Sequence, residues 1–344
     1  MIPSLTINNF RLFKHLEIEK LARVNLITGK NNSGKSALLE CVRLFSTEGS
    51  YESVKQVIKT RDINSSFSVN YIPDFFIYNL DRVNDEFTIT DDENHLKFEL
   101  LMLEKGTDGS LQRLEGDGSW PLDLAQGLIR TYNNIETKPL ILLEHQGHGF
   151  GRKDNDQTPL CFYVSSSVSP HESYLPWWDK LSTPKHKQVL DCIRLILPDM
   201  EDFGAINKES KNRYFVVKLS THDFPTPLSS YGEGVRRLLS IIIAMVSAQN
   251  NYLCIDEFEN GIHYSVLPQL WETILVLAEK LNVQVFATTH SGDCVNAFQQ
   301  ALNESDAPDT GQLIRLKERK GEIKATLFDA EDLKVITSSN LEVR

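Results

Sequence analysis

Apolar and polar positions alternate through the first 28 residues, which predicts strands. "SLTINNF" sets Leu5 and Ile7 between polar neighbours, "HLEIEKL" does the same with Leu16 and Ile18, and "VNLIT" is a short apolar run. The period then changes. From about Gly34 to Phe45, Leu38, Leu39, Val42 and Phe45 recur at helical spacing. From Ser50 to Ile135 the pattern is weakest: "EFTIT" and "HLKFELLML" read as strands, "DDEN", "GTDGS" and "EGDGS" as turns. "KPLILLEH" and "LCFYVSSS" predict buried strands on either side of a glycine-rich loop. Ser173 to Leu197 predicts helix up to Pro198, and "NRYFVVKLS" another strand.

The last third is cleaner. It reads as a helix from about Gly232 to Ala248, the strand "YLCID", a helix from Ser265 to Leu281, the strand "VQVFATT", and a helix from Asp293 to Leu302. Strands alternating with helices of this length predict an α/β fold with a parallel sheet covered on both faces. "QLIRLKE" and "EIKATLF" predict a closing hairpin. The expected organisation is one discontinuous unit over 1–344. Residues 1–50 form an N-terminal β-subdomain and a phosphate loop, 51–224 an inserted α/β lobe, and 225–344 the remaining site segments and the hairpin.

Composition narrows the function classes. With 41% hydrophobic and 24% charged residues, 344 residues can bury a sizeable core. The net charge of −11 argues against a surface that coats nucleic acid. "MIPSLTINNF" has no signal-peptide pattern, and "LLSIIIAMV" is too short to span a bilayer. Five scattered cysteines without a CxxC pair fit reduced thiols, so a cytoplasmic location without membrane attachment is expected.

The chemistry starts at Gly29-Lys30-Asn31-Asn32-Ser33-Gly34-Lys35-Ser36, which fits G-x-x-x-x-G-K-S/T between an apolar strand and a helix opening with Ala37. Backbone N–H groups must converge on phosphate oxygens, so glycine is needed where a side chain would block the approach. The helix turns its positive end to the anion. Lys35 would meet the β- and γ-phosphates, and the Ser36 hydroxyl would ligate Mg²⁺. A guanine-reading Asn-Lys-x-Asp element is absent, since "NKES" lacks the aspartate, so ATP is favoured.

"NYLCIDEFENGIH" supplies the rest of a hydrolytic site. Asp256, at a strand's carboxyl end, would hold Mg²⁺, and Glu257 would polarise the attacking water. His290 ends "VQVFATTH", where an imidazole could bond a γ-phosphate. In "SSYGEGVRRLL", Ser230, Gly232 and Gly234 precede an apolar helix, a second anion-binding helix terminus. One chain already owning a phosphate loop needs a second only to serve a neighbour's nucleotide.

In this order, "INNFRLFKHLEI", "GKNNSGKSALLE", "SSYGEGVRRLL", "CIDEFENGIHYSV" and "FATTHS" resemble the ABC-type ATPase heads related to SMC, RecF and OLD proteins. The likeness is greatest to stand-alone bacterial ATP-binding proteins of AAA type. The resemblance implies a P-loop NTPase fold and an ATPase of slow turnover. It makes Lys35 and Ser36 part of Walker A, Asp256 and Glu257 Walker B, and His290 the switch histidine. Ser230, Gly232 and Glu233 become a signature motif contacting the partner's ATP, with Tyr231 where transporters carry glycine. Asn260 to His263 falls in the D-loop region, and Arg11 near the nucleotide. Gln146 is one candidate for the Q-loop.

Ser36 and Ser230 are only 194 positions apart, without heptads between them, so no long coiled-coil arm is expected; 54 residues follow His290, too few for the Toprim nuclease of OLD proteins. An ATPase head without its own effector is the expectation. Its partners would be a second copy of itself, in a homodimer or a higher oligomer, and a separately encoded effector, as in anti-phage defence. The alternative is a DNA-repair or DNA-end-sensing ATPase. His145 and His148 read as a surface loop rather than a metal site, Trp177 and Trp178 as core, and "RLKERKGEIK" as a solvated hairpin.

Overall fold

The computed structural model describes residues 1–59, 86–105, 111–113, 125–136, 140–143, 160–166, 170–207 and 213–338. The chain opens with β1 (Leu5–Phe10) and β2 (Phe13–Ile18), an antiparallel pair, then β3 (Val24–Thr28) and helix α1 (Lys35–Ser46). Helix α2 (Tyr51–Lys59) follows, then β4 (Glu86–Thr90), β5 (His95–Lys105), β6 (Leu111–Arg113), β7 (Ala125–Tyr132), β8 (Ile135–Glu136) and β9 (Leu140–Leu143). These strands join β1 and β2 in one antiparallel sheet of order β2-β1-β4-β5-β7-β8, with β6 on β5 and β9 on β7.

Next come β10 (Cys161–Val164), α3 (Pro170–Trp178), α4 (Thr183–Ile196), β11 (Met200–Asn207), β12 (Arg213–Leu219) and β13 (Thr226–Pro227). The chain then alternates α5 (Glu233–Ser247), β14 (Tyr252–Ile255), α6 (Leu267–Lys280), β15 (Gln284–Thr289) and α7 (Gly292–Glu304). The hairpin β16 (Gly311–Arg319) and β17 (Glu322–Phe328) and helix α8 (Ala330–Ser338) follow.

The central sheet runs β10-β14-β15-β3-β16-β17. All its pairs are parallel except the β16–β17 hairpin. Alternation along its strands feeds two cores. Val24, Leu26, Leu253, Ile255, Val285 and Ala287 pack with α5, α6 and α7. Ile27, Cys254, Phe286 and Ile314 pack with α1 and the antiparallel sheet. Every carboxyl end of the parallel strands therefore lies along one edge, where an open α/β sheet binds ligands.

One expected element is divided. The single helix anticipated over Ser173 to Leu197 is two, α3 and α4, separated by residues 179–182. Pro184 occupies the first turn of α4, where its missing N–H costs nothing, and Ser182 caps the start with extended backbone. Trp177 and Trp178 pack inward as expected: Trp178 stacks on His186 and meets Phe203 and Phe215 edge-on, and Trp177 meets Phe162. All five cysteines are free thiols. Among the described residues, no helix is long and apolar enough to cross a membrane.

Candidate nucleotide site

Strand β3 is buried along its whole length and delivers the chain into the loop 29–36. Gly34 caps α1 with φ 93°, and a Cβ there would stand 2.7 Å from the Phe13 ring, so only glycine fits. Asn32 holds φ 61°, a conformation asparagine tolerates better than most residues. Lys35 is buried at 6% exposure, and its Nζ donates to Gly29 O at 2.7 Å and Lys30 O at 2.9 Å. Burial pulls this ammonium below its usual pKa; Asp256, Glu257 and Glu259 pull the other way. Ser33 is buried, Asn31 and Asn32 are exposed, and Ser36 and Ala37 form the first turn of α1, whose N–H groups have no intrahelical acceptor.

Asp256 follows β14 and is gripped on both sides. Thr288 Oγ1 donates to Asp256 Oδ1 at 2.7 Å and Tyr163 OH to Oδ2 at 3.3 Å. Burial, then the Asp256 carboxylate, drive the Tyr163 phenol well above its ordinary pKa, so it stays a donor. Glu257 is in left-handed backbone, φ 48°, with its amide donating to Thr288 Oγ1 at 2.9 Å. The buried Arg237 of α5 closes the turn: Nη2 donates to Asp256 O at 2.5 Å and Glu257 O at 3.1 Å, and Nη1 to Ser165 O at 2.7 Å. A non-glycine residue held left-handed at such a position is strain kept by its surroundings.

His290 follows β15, and its amide donates to Glu259 Oε1 at 2.9 Å. Thr28 and Thr289 are paired in the sheet, so Gly29 and His290 leave adjacent strands at the same level. The Asn260 side chain donates to Ser166 O at 3.2 Å, tying the turn after β14 to the end of β10. Arg11 reaches α1 instead, through an ion pair to Glu40 at 2.9 Å with both side chains about nine-tenths buried. The structure thus brings Lys35, Asp256, Glu257 and His290 to one edge.

Ser230, Gly232 and Glu233 lie at the start of α5, with the Glu233 side chain over Gly261 in the turn after β14. Ser230 ends a single 3₁₀ turn, Gly232 precedes α5, and all three are exposed. A Cβ on Gly232 would meet nothing within 4 Å, and among the described residues no hydrogen bond joins this segment to the loop 29–37. Gly234, like Glu233 and unlike Gly232, lies against the turn after β14, where its Cβ would stand 2.7 Å from Gly261 O.

The sequence reading passed over Thr288, Tyr163, Arg237 and Glu259. Arg237 had a signal: it is a cation directly before the largely apolar run "LLSIIIAMV". His145, Gln146 and His148 lie outside the described residues. No cluster of three or more His, Cys, Asp or Glu residues able to hold a metal exists among the described ones.

Two family models match the chain. One, described as AAA domain, covers residues 4–175, and one described as AAA ATPase domain covers residues 174–295. The chain belongs to the AAA-type ATPases. An ATP/GTP phosphatase of Helicobacter pylori is 23% identical to it over 352 residues, spanning 92% of this chain and 93% of that protein. The RecF DNA replication and repair protein of Nitrosococcus oceani is 38% identical over 56 residues, 16% of this chain and 15% of RecF. A solved SMC head bound to the C-winged helix domain of ScpA superposes with TM-score 0.53 at 12% identity, over 98% of this chain and 99% of that one. This AAA-type ATPase therefore has the SMC head fold, a P-loop NTPase of ABC type, and it hydrolyses nucleotide.

Proposed function

We propose that two copies of this ATPase close head to tail around two ATP·Mg²⁺, and that the closed dimer is a switch holding a separately encoded effector. The observation that supports this best is the exposure of Gly232, with open space where a side chain would stand. The chain exposes a second phosphate-binding type of helix start where its own nucleotide has no use for it.

Within each pocket the loop amides and Lys35 hold the phosphates. Ser36 and Asp256 would hold Mg²⁺; two oxygen donors suit an ion that takes its other ligands from water and phosphate. When bound, Mg²⁺ neutralises charge building on the transferred phosphoryl group. Thr288 and Tyr163 orient Asp256 by bonding both its oxygens. Glu257 accepts a proton from the attacking water, and His290 donates toward the γ-phosphate. Ser230, Gly232 and Glu233 meet the nucleotide of the second copy, with Asn260 to His263 crossing between them.

Glu257→Gln tests the dimer. This variant is expected to bind ATP, hydrolyse it at least 100-fold more slowly, and elute as a dimer only with ATP. Parent-rate hydrolysis sinks the assignment. Capture of one neighbouring protein by this trapped form, and not by the ADP form, tests the effector.

The stretch shared with RecF supports a second reading, a DNA-sensing ATPase. Turnover raised by DNA ends would favour it, and the net charge of −11 weighs against it. Competition between ATP and GTP separates the two nucleotides.

A further inference from the structure

Glu259 is a third carboxylate in this edge, three residues beyond Asp256, and nothing above gives it a chemical task. It is partly buried. Oε1 accepts the His290 amide at 2.9 Å. Oε2 is shielded from solvent and has no hydrogen-bond donor among the described residues. A buried carboxylate oxygen left without a donor is costly, so chains keep such an arrangement where a working state supplies one.

The neighbours that could donate are few. Lys35 feels the Glu259 charge, and two of its three ammonium N–H groups are engaged by Gly29 O and Lys30 O. Arg237 also feels it; Nη1 and Nη2 are engaged by the Ser165, Asp256 and Glu257 carbonyls, while its buried Nε has no acceptor among the described residues and is the competing donor. Cys294 is fully buried, pushed up to about 12 by burial first and Glu259 next, and a thiol is a weak donor. The His290 imidazole is carried by the residue whose amide Glu259 already holds. A carboxylate on one ring nitrogen fixes the tautomer and points the other outward.

We infer that Glu259 is a positioning residue for hydrolysis: one oxygen pins the backbone at the end of β15, and the other receives a ring N–H of His290, aiming the second ring nitrogen at the γ-phosphate. The inference rests on the proposed role of His290 and goes beyond it. It makes the carboxylate, and not only an acceptor for the amide, necessary.

Glu259→Gln separates the two tasks, because a glutamine oxygen can still accept the His290 amide but brings no negative charge to the ring. Expected is a fall in kcat of about tenfold or more, with affinity for a fluorescent ATP analogue within about twofold of the parent. Glu259→Ala, which loses both contacts, should be at least as slow, and the folded state of each variant is checked by its thermal transition. The double variant with His290→Ala should be no slower than His290→Ala alone, since one residue acts through the other. A parent-like rate for Glu259→Gln, or losses that multiply in the double variant, overturns the inference while leaving the trapped Glu257→Gln dimer intact. A parent-like rate for His290→Ala overturns both this inference and the role of His290.

Discussion

Thr288 holds Asp256 by a 2.7 Å hydrogen bond, and the same hydroxyl accepts the Glu257 amide at 2.9 Å. One side chain on β15 therefore sets both acidic residues that follow β14. Thr288 is fully buried, so no water replaces it. Thr288→Val keeps shape and volume but leaves the Glu257 N–H and one Asp256 oxygen without that partner. The expected cost is about 1–3 kcal/mol of stability. Turnover should fall about tenfold or more, because Glu257 loses its hold on a strained backbone. Chemical denaturation and steady-state hydrolysis measure the two effects.

Lys35→Ala should behave differently. Its ammonium is desolvated and bonds loop carbonyls, so its removal relieves a buried charge as it deletes two hydrogen bonds. Stability should change by less than about 1 kcal/mol, because these terms oppose each other. Hydrolysis should fall at least 100-fold, as the charge on the phosphates is gone. A thermal scan beside a phosphate-release assay shows whether the two effects part in this way.

Arg237 joins the start of α5 to Asp256 and Glu257 through main-chain carbonyls, so it couples the exposed Gly232 segment to the acidic turn. Arg237→Lys keeps the charge but cannot bridge three carbonyls with a planar fork. Hydrolysis should fall by about tenfold or more, with nucleotide binding within about twofold of the parent. Equal loss of binding, measured by titration of a fluorescent analogue, would contradict this.

How much of this was legible in the sequence depends on whether local pattern or tertiary context decided each element. The loop 29–36, Asp256, Glu257 and His290 were readable because phosphate binding and strand-end chemistry demand particular residues at fixed spacing. The helices α6 and α7 were readable because one face of each is apolar at helical period, and α5 because its apolar run, buried continuously from Arg237 to Val246, is too long for a strand. Helix α2 was missed: Val54, Val57 and Ile58 are buried in the core shared by α1 and the antiparallel sheet, and "YESVKQVIK" is short and flanked by weakly patterned chain. The break between α3 and α4 was masked because apolar spacing continues across it. Thr288, Tyr163 and Glu259 were invisible because each acts across strands, between residues far apart in the chain, and nothing in the type of a threonine or tyrosine announces such a contact.

Two glycines two residues apart make opposite predictions. Gly232 has φ −59°, open to any residue, and free space where a side chain would stand, whereas a Cβ on Gly234 would press to 2.7 Å from Gly261 O. Gly232→Trp should therefore leave the monomer's melting temperature and its nucleotide affinity unchanged. In the same variant ATP-dependent dimerisation and turnover should be lost, since the bulky ring would occupy the place reserved for the second copy's nucleotide. Gly234→Ala should instead destabilise the monomer by about 1–3 kcal/mol through that clash. Turnover would fall with it, because the displaced Gly261 belongs to the turn that carries Glu257 and Glu259. Light scattering with and without ATP, beside thermal unfolding, distinguishes the two. If Gly232→Trp still dimerises with ATP and hydrolyses it at the parent rate, each chain completes its own pocket and the head-to-tail arrangement is wrong.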